Sequence, residues 1–192
     1  GEHAICAGLK EELSVLIKGH VGYYCGGMNK NANITIDGNA GTGLGENMMS
    51  GTIHVKGNTS QSAGATAHGG NIIIDGDASS RCGISMKGVD IIVKGSVGHM
   101  SAFMAQAGTL MICGDAGDAL GDSIYETVIY LAGKPKSLGV DCIEKKVTKN
   151  DLKKIENLIK IGNVKKLKPH NFKKFGSARK LYNFNIDNVS DY

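Results

Sequence analysis

The segment Asn33-Ile34-Thr35-Ile36-Asp37-Gly38 decides the fold, because its alternating aliphatic residues closed by a glycine recur along the chain. The closing glycine belongs to a ladder with a constant spacing of 19 residues: Gly19, Gly38, Gly57, Gly76, Gly95, Gly114 and Gly133. Self-similarity at a period of about 20 residues is typical of solenoids, in which each repeat stacks on its neighbours. Residues 19–133 are therefore predicted to form an array of stacked repeats.

The residues between the ladder glycines keep the same phase in every repeat. The positions two and four before each glycine are aliphatic throughout, as in Ile34/Ile36 and Ile91/Val93. Short alternation of such residues, bounded by glycine, asparagine and aspartate, is typical of β-strands. We therefore predict an all-β chain in which residues 15–144 form a single-stranded parallel β-helix of about seven 19-residue rungs.

Two further columns have the character of inward-facing positions, since small and large residues alternate along the predicted axis. The first contains Met48, Ala67, Met86, Ala105 and Ile124, and the second contains Val21, Ala40, Thr59, Ala78, Val97 and Ala116. This alternation suits a close-packed interior. Glycines at the rung corners are expected where positive φ or close approach of stacked backbones excludes a side chain.

The N-terminal residues 1–14 are predicted to cap the first rung. Leu9, Leu13 and Leu16 share one helical face, which predicts a short N-terminal helix. The terminal rung of a stacked array needs such a cover, because its unpaired backbone groups are otherwise open to edge-to-edge association.

Residues 145–192 are predicted to form a C-terminal helix followed by a docking tail. The helix spans residues 148–161, with Thr148 as its N-cap, Asp151 in its first turn and Gly162 at its end. Its apolar face contains Leu152, Ile155, Leu158 and Ile159. The basic tail carries Phe172, Phe175, Tyr182, Phe184 and Tyr192, so we expect it to dock on this protein, on a neighbour, or on both. Removal of residues 170–192 is expected to leave the rungs folded and to weaken assembly.

Two outward columns predict where the C-terminal helix packs. One alternates in charge and then becomes neutral: Lys18, Asp37, Lys56, Asp75, Lys94, Cys113 and Ala132. Opposite charges on neighbouring strands favour a single register. The other column becomes apolar where the charges stop: Thr35, His54, Ile73, Ile92, Met111 and Tyr130. We predict that the helix covers this apolar strip.

The distribution of charge and the spacing of the cysteines indicate which compartment the protein occupies. The net charge of +4 combines −5 over residues 1–144 with +9 over residues 145–192. Cys25 and Cys82 share a column but lie three rungs apart, roughly 14 Å at a strand spacing of about 4.8 Å, which is too far for a disulfide. With no apolar run long enough to span a membrane and no signal peptide, the sequence predicts a cytoplasmic protein with reduced cysteines.

No catalytic set is recognisable from residue spacing. The stretch Gly41-Thr42-Gly43-Leu44-Gly45 lacks the following helix of a nucleotide-binding loop, and the histidines of the repeats fall in different phases. Asp118, Asp122 and Glu126 could cluster at one corner, but turn-forming, solvated carboxylates are the preferred interpretation. The basic end has no nucleic-acid-binding motif, which favours an acidic protein surface as its partner. No metal, nucleic acid or membrane partner is predicted.

Two late motifs resemble a known family. They are Ala116-Gly117-Asp118-Ala119-Leu120-Gly121-Asp122-Ser123-Ile124-Tyr125-Glu126 and Phe175-Gly176-Ser177-Ala178-Arg179-Lys180-Leu181-Tyr182. Together with the repeated glycines and the Ser137-Leu138-Gly139-Val140-Asp141-Cys142 segment, they resemble the GXGXG domain at the C-terminal end of the glutamate synthase large subunit, in its separately encoded form. The resemblance covers residues 19–192.

This resemblance implies a right-handed parallel β-helix without a cofactor of its own. In such enzymes a glutaminase part releases ammonia, and a part with FMN and an iron–sulfur cluster adds it reductively to 2-oxoglutarate. The protein is then a non-catalytic scaffold subunit of an oxidoreductase complex, with candidate interface residues Asp118, Asp122, Tyr125, Glu126, Arg179, Lys180 and Tyr182 and a possible homo-oligomeric state. The alternatives are the related GXGXG subunit of formylmethanofuran dehydrogenase and a free-standing esterase-type hydrolase.

Overall fold

A computed structural model describes residues 1–179, and its repeats form a parallel β-solenoid. Seven strands stack in sequence order: β1 (Ser14–Lys18), β2 (Asn33–Asp37), β3 (Thr52–Val55), β4 (Asn71–Ile74), β5 (Lys87–Val93), β6 (Ala107–Ile112) and β7 (Val128–Leu131). Each strand pairs in parallel with the next, which gives about six turns between the first and the last. The predicted all-β solenoid is confirmed.

The register follows the 19-residue period. Ile34 pairs with Ile53 and Ile36 with Val55, so the aliphatic columns stack as predicted, and their members from β2 to β7 are buried. The two additional inward columns are buried as well, and the second of them extends by one rung to Pro135. Burying these columns is the main stabilising contribution, because apolar area removed from water yields about 25 cal/mol per Å².

The ladder glycines allow stacked backbones to approach one another closely. Only Gly19 has a positive φ, of 114°. At the next six, an added Cβ would lie at most 2.9 Å from the carbonyl oxygen of the previous ladder glycine. These positions therefore exclude a side chain through backbone contact.

The residues after the first six ladder glycines form a second ladder, which was not predicted. Each of their side chains accepts a hydrogen bond from the backbone N–H one rung later, at 2.7–3.0 Å, and the residues are His20, Asn39, Asn58, Asp77, Ser96 and Asp115. These contacts satisfy backbone donors at the corner, where strand pairing has ended. They also fix the vertical alignment of successive rungs.

Each rung turns through three alternate residues in the left-handed region. In the rung after β2 these are Gly43, Gly45 and Asn47, with φ of 74°, 63° and 57°. Their N–H groups donate alternately to the following, the preceding and the following rung. The central position must also stay small, because a Cβ on Gly45 would lie 2.9 Å from Cδ1 of Ile72.

The predicted N-terminal helix is wrong. Ala4, Cys6 and Gly8 repeat the left-handed turn of the rungs, and the N–H of Ala4 donates to the carbonyl of Tyr23 at 2.7 Å. The first residues thus form a partial rung. Leu16 lies in β1, where backbone pairing with β2 outweighs the helical spacing of the leucines, and its side chain is 56% exposed.

The chain closes the other end of the solenoid with its C-terminal elements. These are β8 (Cys142–Lys145), α1 (Lys149–Ile161), a short 3₁₀ turn (Pro169–Asn171) and β9 (Lys173–Ser177). Strand β9 lies between β7 and β8 and is antiparallel to both. Part of the predicted docking tail is therefore a strand of this protein, and deletion from residue 170 would leave β7 with an unpaired edge. Tyr182, Phe184 and Tyr192 of that tail lie outside the described residues.

The C-terminal helix packs on the apolar strip, as predicted. Ile155 and Leu158 of α1 form one cluster with the strip residues Ile73, Ile92, Met111 and Tyr130, together with Phe172. Thr148 is the N-cap in a capping box with Asp151, and Gly162 is the C-cap. Leu152 was assigned to the buried face wrongly, since its side chain is 38% exposed.

The outward charged column forms two ion pairs. Asp37 contacts Lys56 at 3.4 Å, and Asp75 contacts Lys94 at 2.8 Å. Asp75 also contacts His54 Nε2 at 2.9 Å. Although burial opposes it, the hydrogen bonds from Lys94 and His54 lower the pKa of the Asp75 carboxyl. The alternating charges therefore pair across two of the rung steps.

The five cysteines are free thiols. Burial raises the pKa of Cys25 and Cys82 to about 12, with a smaller contribution at Cys25 from the nearby Cys6. These two thiols consequently behave as small core residues. Among residues 1–179, no helix has the length and apolar character needed to cross a membrane.

Candidate interaction site at the end of the solenoid

Three of the candidate interface residues meet at a surface depression beside the last rung. Tyr125 and Glu126 come from the turn before β7, and Arg179 follows β9. The depression has a volume of about 260 Å³. Lys180 and Tyr182 lie outside the described residues, so their assignment to this interface stays a prediction.

The depression is lined by polar and charged residues from three parts of the chain. Its walls are Tyr125, Glu126, Thr127, Val128, Lys145, Lys174, Gly176, Ser177 and Arg179. The antiparallel pairing of β9 with β7 and β8 creates this wall, because it places Gly176 opposite Ile143 and Phe175 opposite Ile129. Residues of the two late motifs, separated by about 50 positions, thereby share one surface.

Two of its three basic side chains are already paired. Lys174 contacts Asp151 at 2.8 Å, and Arg179 forms an ion pair with Asp141. Lys145 has no ion-pair partner among residues 1–179, and its Cδ would lie 3.6 Å from a Cβ placed on Gly176. The amino group of Lys145 is therefore available to a partner at the rim of the depression.

Hydroxyl groups and the Glu126 carboxylate contribute the remaining polar lining. The Ser177 Oγ accepts a hydrogen bond from the N–H of Arg179 at 3.2 Å. The buried Thr127 Oγ1 has no hydrogen-bond partner within the described part of the chain. The lining therefore combines hydroxyl, carboxylate and cationic side chains.

Asp118 and Asp122 do not line this depression. The Asp118 side chain is about half exposed and contacts Lys136 Nζ at 2.8 Å, and the hydrogen bond from Lys136 lowers the pKa of its carboxyl. Asp122 accepts hydrogen bonds from the Ser123 hydroxyl and from the N–H of Val140. Both carboxylates thus hold the following loop against the last rung, which agrees with the interpretation of turn-forming residues.

A second and larger depression lies on the opposite side of β9. Its volume is about 630 Å³, and its lining includes Leu138, Phe175, Lys134 and the ion pair between Lys173 and Glu144. Leu138 is 36% exposed there. The closed end of the solenoid therefore offers two depressions separated by one strand.

Sequence reasoning missed the contributions of Lys145, Thr127 and Ser177. Ser177 stands inside a motif that was recognised, but its contact with the depression depends on the antiparallel course of β9. The run Lys173-Lys174-Phe175 lacks the period-two alternation of a strand, so no local signal indicates β9. No group of three or more histidine, cysteine or acidic side chains suited to a metal ion occurs within residues 1–179.

Comparison with known proteins supports the interpretation of the repeats. No solved structure matches the chain. Protein GlxC of Rhizobium meliloti (strain 1021) is 57% identical over 192 residues, which cover all of this chain and 84% of that protein. A family model described as the GXGXG motif matches residues 2–185. This chain therefore belongs to the family of proteins that carry the GXGXG motif.

Proposed function

We propose that this protein is a non-catalytic assembly subunit of a glutamate synthase-type complex. Partner subunits of two kinds would carry out the glutamine-dependent reductive amination of 2-oxoglutarate. One is a glutaminase-type polypeptide, and the other is an FMN-binding, synthase-type polypeptide that also holds an iron–sulfur cluster. The proposal assigns no cofactor to this chain.

One observation carries the proposal. The two motifs that resemble the glutamate synthase domain most specifically, at residues 116–126 and 175–179, converge on the exposed depression at the closed end. A rigid solenoid that presents its distinctive residues at one exposed end is suited to positioning other polypeptides. The resemblance supplies the identity of those polypeptides, and the cytoplasm is their proposed compartment because the five thiols are free.

The test is purification from the native cells under mild conditions, followed by identification of the polypeptides that travel with this chain. A glutaminase-type and an FMN-binding synthase-type polypeptide in stoichiometric amounts are expected. Molybdenum or tungsten enzyme subunits would assign the chain to formylmethanofuran dehydrogenase. A monomer whose esterase activity disappears on a single serine substitution would contradict both.

The depression predicts an effect on assembly. The double variant Tyr125→Ala and Arg179→Ala is expected to weaken binding to the partner by at least about tenfold, because tyrosine and arginine are the side chains most often dominant at interfaces. Isothermal titration with the purified partner polypeptide measures this change.

The matched control is Tyr23→Ala, on the first full rung at the opposite end. The Tyr23 side chain is 52% exposed, against 42% for Tyr125. This control should bind as the wild type does. Equal losses in Tyr23→Ala and the double variant, or no loss in either, would show that the depression is not the docking surface.

A further inference from the structure

The region around α1 has a higher density of positive charge than the rest of the molecule. Residues 145–179 contain 12 lysine and arginine residues and only Asp151 and Glu156 as acidic residues, a net charge of +10. Four of the lysines form ion pairs, namely Lys154, Lys160, Lys173 and Lys174. Seven exposed lysines have no ion-pair partner among residues 1–179: Lys145, Lys146, Lys149, Lys153, Lys165, Lys166 and Lys168.

Helix α1 arranges part of this charge in a row. Ile155 and Leu158 define the face packed on the solenoid. At 100° per residue, Lys149, Lys153 and Lys160 fall within about 40° of one another on the opposite face. The row is about 16 Å long at 1.5 Å per residue, and we call it the lysine face of α1.

The first two residues of the lysine face, Lys149 and Lys153, oppose the stability of their own helix. Lys149 occupies the first helical position, where a positive charge is repelled by the helix dipole. Lys149 and Lys153 are four residues apart, a spacing at which like charges repel. Asp151 in the first turn offsets part of the dipole repulsion, and Glu156 stands three residues after Lys153. An acidic partner would offset the remaining repulsion between the lysines.

The lysine face is mounted on a rigid support. Lys154 contacts Asp90 of β5 at 2.6 Å, and Asp151 accepts hydrogen bonds from Tyr130 and Lys174. The apolar face of the helix is buried against the strip. Because these contacts fix the helix on both sides, its backbone loses little conformational entropy when the outer lysines bind a partner.

We propose that the lysine face of α1 docks an acidic surface of a partner polypeptide in the complex. This inference rests on the proposed function for the identity of the partner, and it places a second contact away from the depression at the end of the solenoid. Charge complementarity carries it, because interfaces commonly oppose positive and negative patches.

Other occupants fit the surface less well. A membrane would need an apolar face on α1, which is already buried against the solenoid. Nucleic acid would be favoured by aromatic side chains among the lysines, but residues 149–161 contain none.

The acidic side chains of a second copy that have no ion pair or side-chain hydrogen bond among residues 1–144 are Glu2, Glu11, Glu12, Glu46 and Glu126, which are spread from the first residues to the turn before β7. Asp37, Asp75, Asp90, Asp118, Asp141 and Glu144 are in ion pairs, while Asp77, Asp115 and Asp122 accept hydrogen bonds from the backbone. The acidic surface is therefore expected on a different polypeptide.

The test is the double charge reversal Lys149→Glu and Lys153→Glu in the full chain. A glutamate at the first helical position suits the helix dipole, so the variant is expected to melt at the wild-type temperature or above. Its affinity for the purified glutaminase-type or synthase-type polypeptide is expected to fall by at least about tenfold at low salt, with a weaker salt dependence than the wild type.

The control reversal, Lys30→Glu and Lys87→Glu, changes the net charge equally at exposed positions of the solenoid body. Its affinity is expected to stay within about twofold of the wild type, since long-range charge effects are screened beyond roughly 10 Å. Equal losses in both variants, or wild-type affinity in the Lys149/Lys153 variant, would overturn the docking inference and leave the proposed function intact.

A second measurement does not depend on the identity of the partner. Carbodiimide coupling of amines to carboxylates in the native complex, read by mass spectrometry, is expected to join Lys149, Lys153 or Lys160 to acidic residues of another polypeptide. If neither enzyme polypeptide binds the wild type, the proposed function fails, and this coupling decides the docking inference alone. Coupling confined to this chain would overturn the docking inference. The inference would also be overturned if the wild type bound single-stranded RNA or phosphatidylserine vesicles and the Lys149/Lys153 reversal abolished that binding.

Discussion

Replacing Gly76 with alanine is expected to lower the free energy of unfolding by about 3 kcal/mol, near the upper end of what overpacking usually costs. An added Cβ would lie 2.9 Å from the carbonyl oxygen of Gly57 and closer still to Oδ1 of Asn58. That oxygen accepts the hydrogen bond from the N–H of Asp77 at 2.8 Å, so the substitution disturbs both ladders at once. Thermal melting should show a decrease of roughly 5–10 °C.

Gly176→Ala is the control for this prediction. The nearest atom to its added Cβ would be Cδ of Lys145, at 3.6 Å, which is ordinary van der Waals contact. Its stability should change by less than about 0.5 kcal/mol. If Gly76→Ala were equally mild, close approach of the backbones would not be the reason for the ladder.

The solenoid was predictable because one constraint acts in every rung. The strand that contains Ile34 and Ile36 is stabilised by strands of the same aliphatic pattern on both sides, so the sequence must repeat the aliphatic pair and the glycine that lets the backbones stack. Because the pattern occurs seven times, it predicts the strands even where a single repeat would be ambiguous. The position of α1 was predictable for a related reason, since the strip from Ile73 to Tyr130 becomes apolar only where something covers it.

The two ends were harder to predict, because stacking on a single neighbour replaces the repeated constraint there. Leu9, Leu13 and Leu16 have the spacing of a helical face, but pairing with the first rung determines their conformation instead. At the other end, β9 is reversed relative to the rungs, and its pairing partners are about 30 and 45 residues earlier in the chain. No local pattern specifies such long-range antiparallel pairing.

The candidate site shows the same division between local and long-range information. Asp118 and Asp122 could be assigned to a turn from their neighbours alone. The contribution of Lys145 and Thr127 to the depression depends on where β9 runs. The motif around Gly176 was recognisable, but its burial between β7 and β8 follows from tertiary pairing.

Replacing Asp151 with alanine is expected to destabilise the attachment of α1 and β9 by about 3 kcal/mol, the magnitude typical of removing one partner from a buried ion pair. Its side chain is 8% exposed. It contacts the Tyr130 hydroxyl at 2.7 Å, Lys174 at 2.8 Å and the N–H of Thr148 at 2.7 Å. A single carboxylate thus joins the last rung, the closing strand and the start of the helix.

This loss should be largest in the helix and closing strand. Amide hydrogen exchange of α1 and β9 measures it directly, because local opening can precede global unfolding. Glu156→Ala removes only the exposed pair with Lys160 and should cost less than about 0.5 kcal/mol. Equal exchange in the two variants would show that Asp151 does not hold these elements together.

The stabilisation by Asp151 should also depend on pH in a defined direction. Burial alone would raise its pKa, but the hydrogen bonds from Lys174, Thr148 and Tyr130 outweigh burial and hold the pKa well below the usual range. A carboxyl with a depressed pKa in the folded state stabilises the protein fully above its unfolded pKa of about 3.9. That contribution decreases as the pH falls through the folded pKa.

Denaturant unfolding of the wild type and Asp151→Asn between pH 3 and pH 7 measures this dependence. The difference in stability should be constant from pH 5 to pH 7 and should shrink below about pH 4, because the Asp151 carboxyl of the unfolded chain then takes up a proton while the folded carboxylate stays ionised. Tyr130→Phe removes one of the donors and should reduce the difference by about 1 kcal/mol, the usual net value of one hydrogen bond. A difference that grows on acidification would mean that the carboxyl is protonated in the folded protein at neutral pH, which would contradict the ion pair with Lys174.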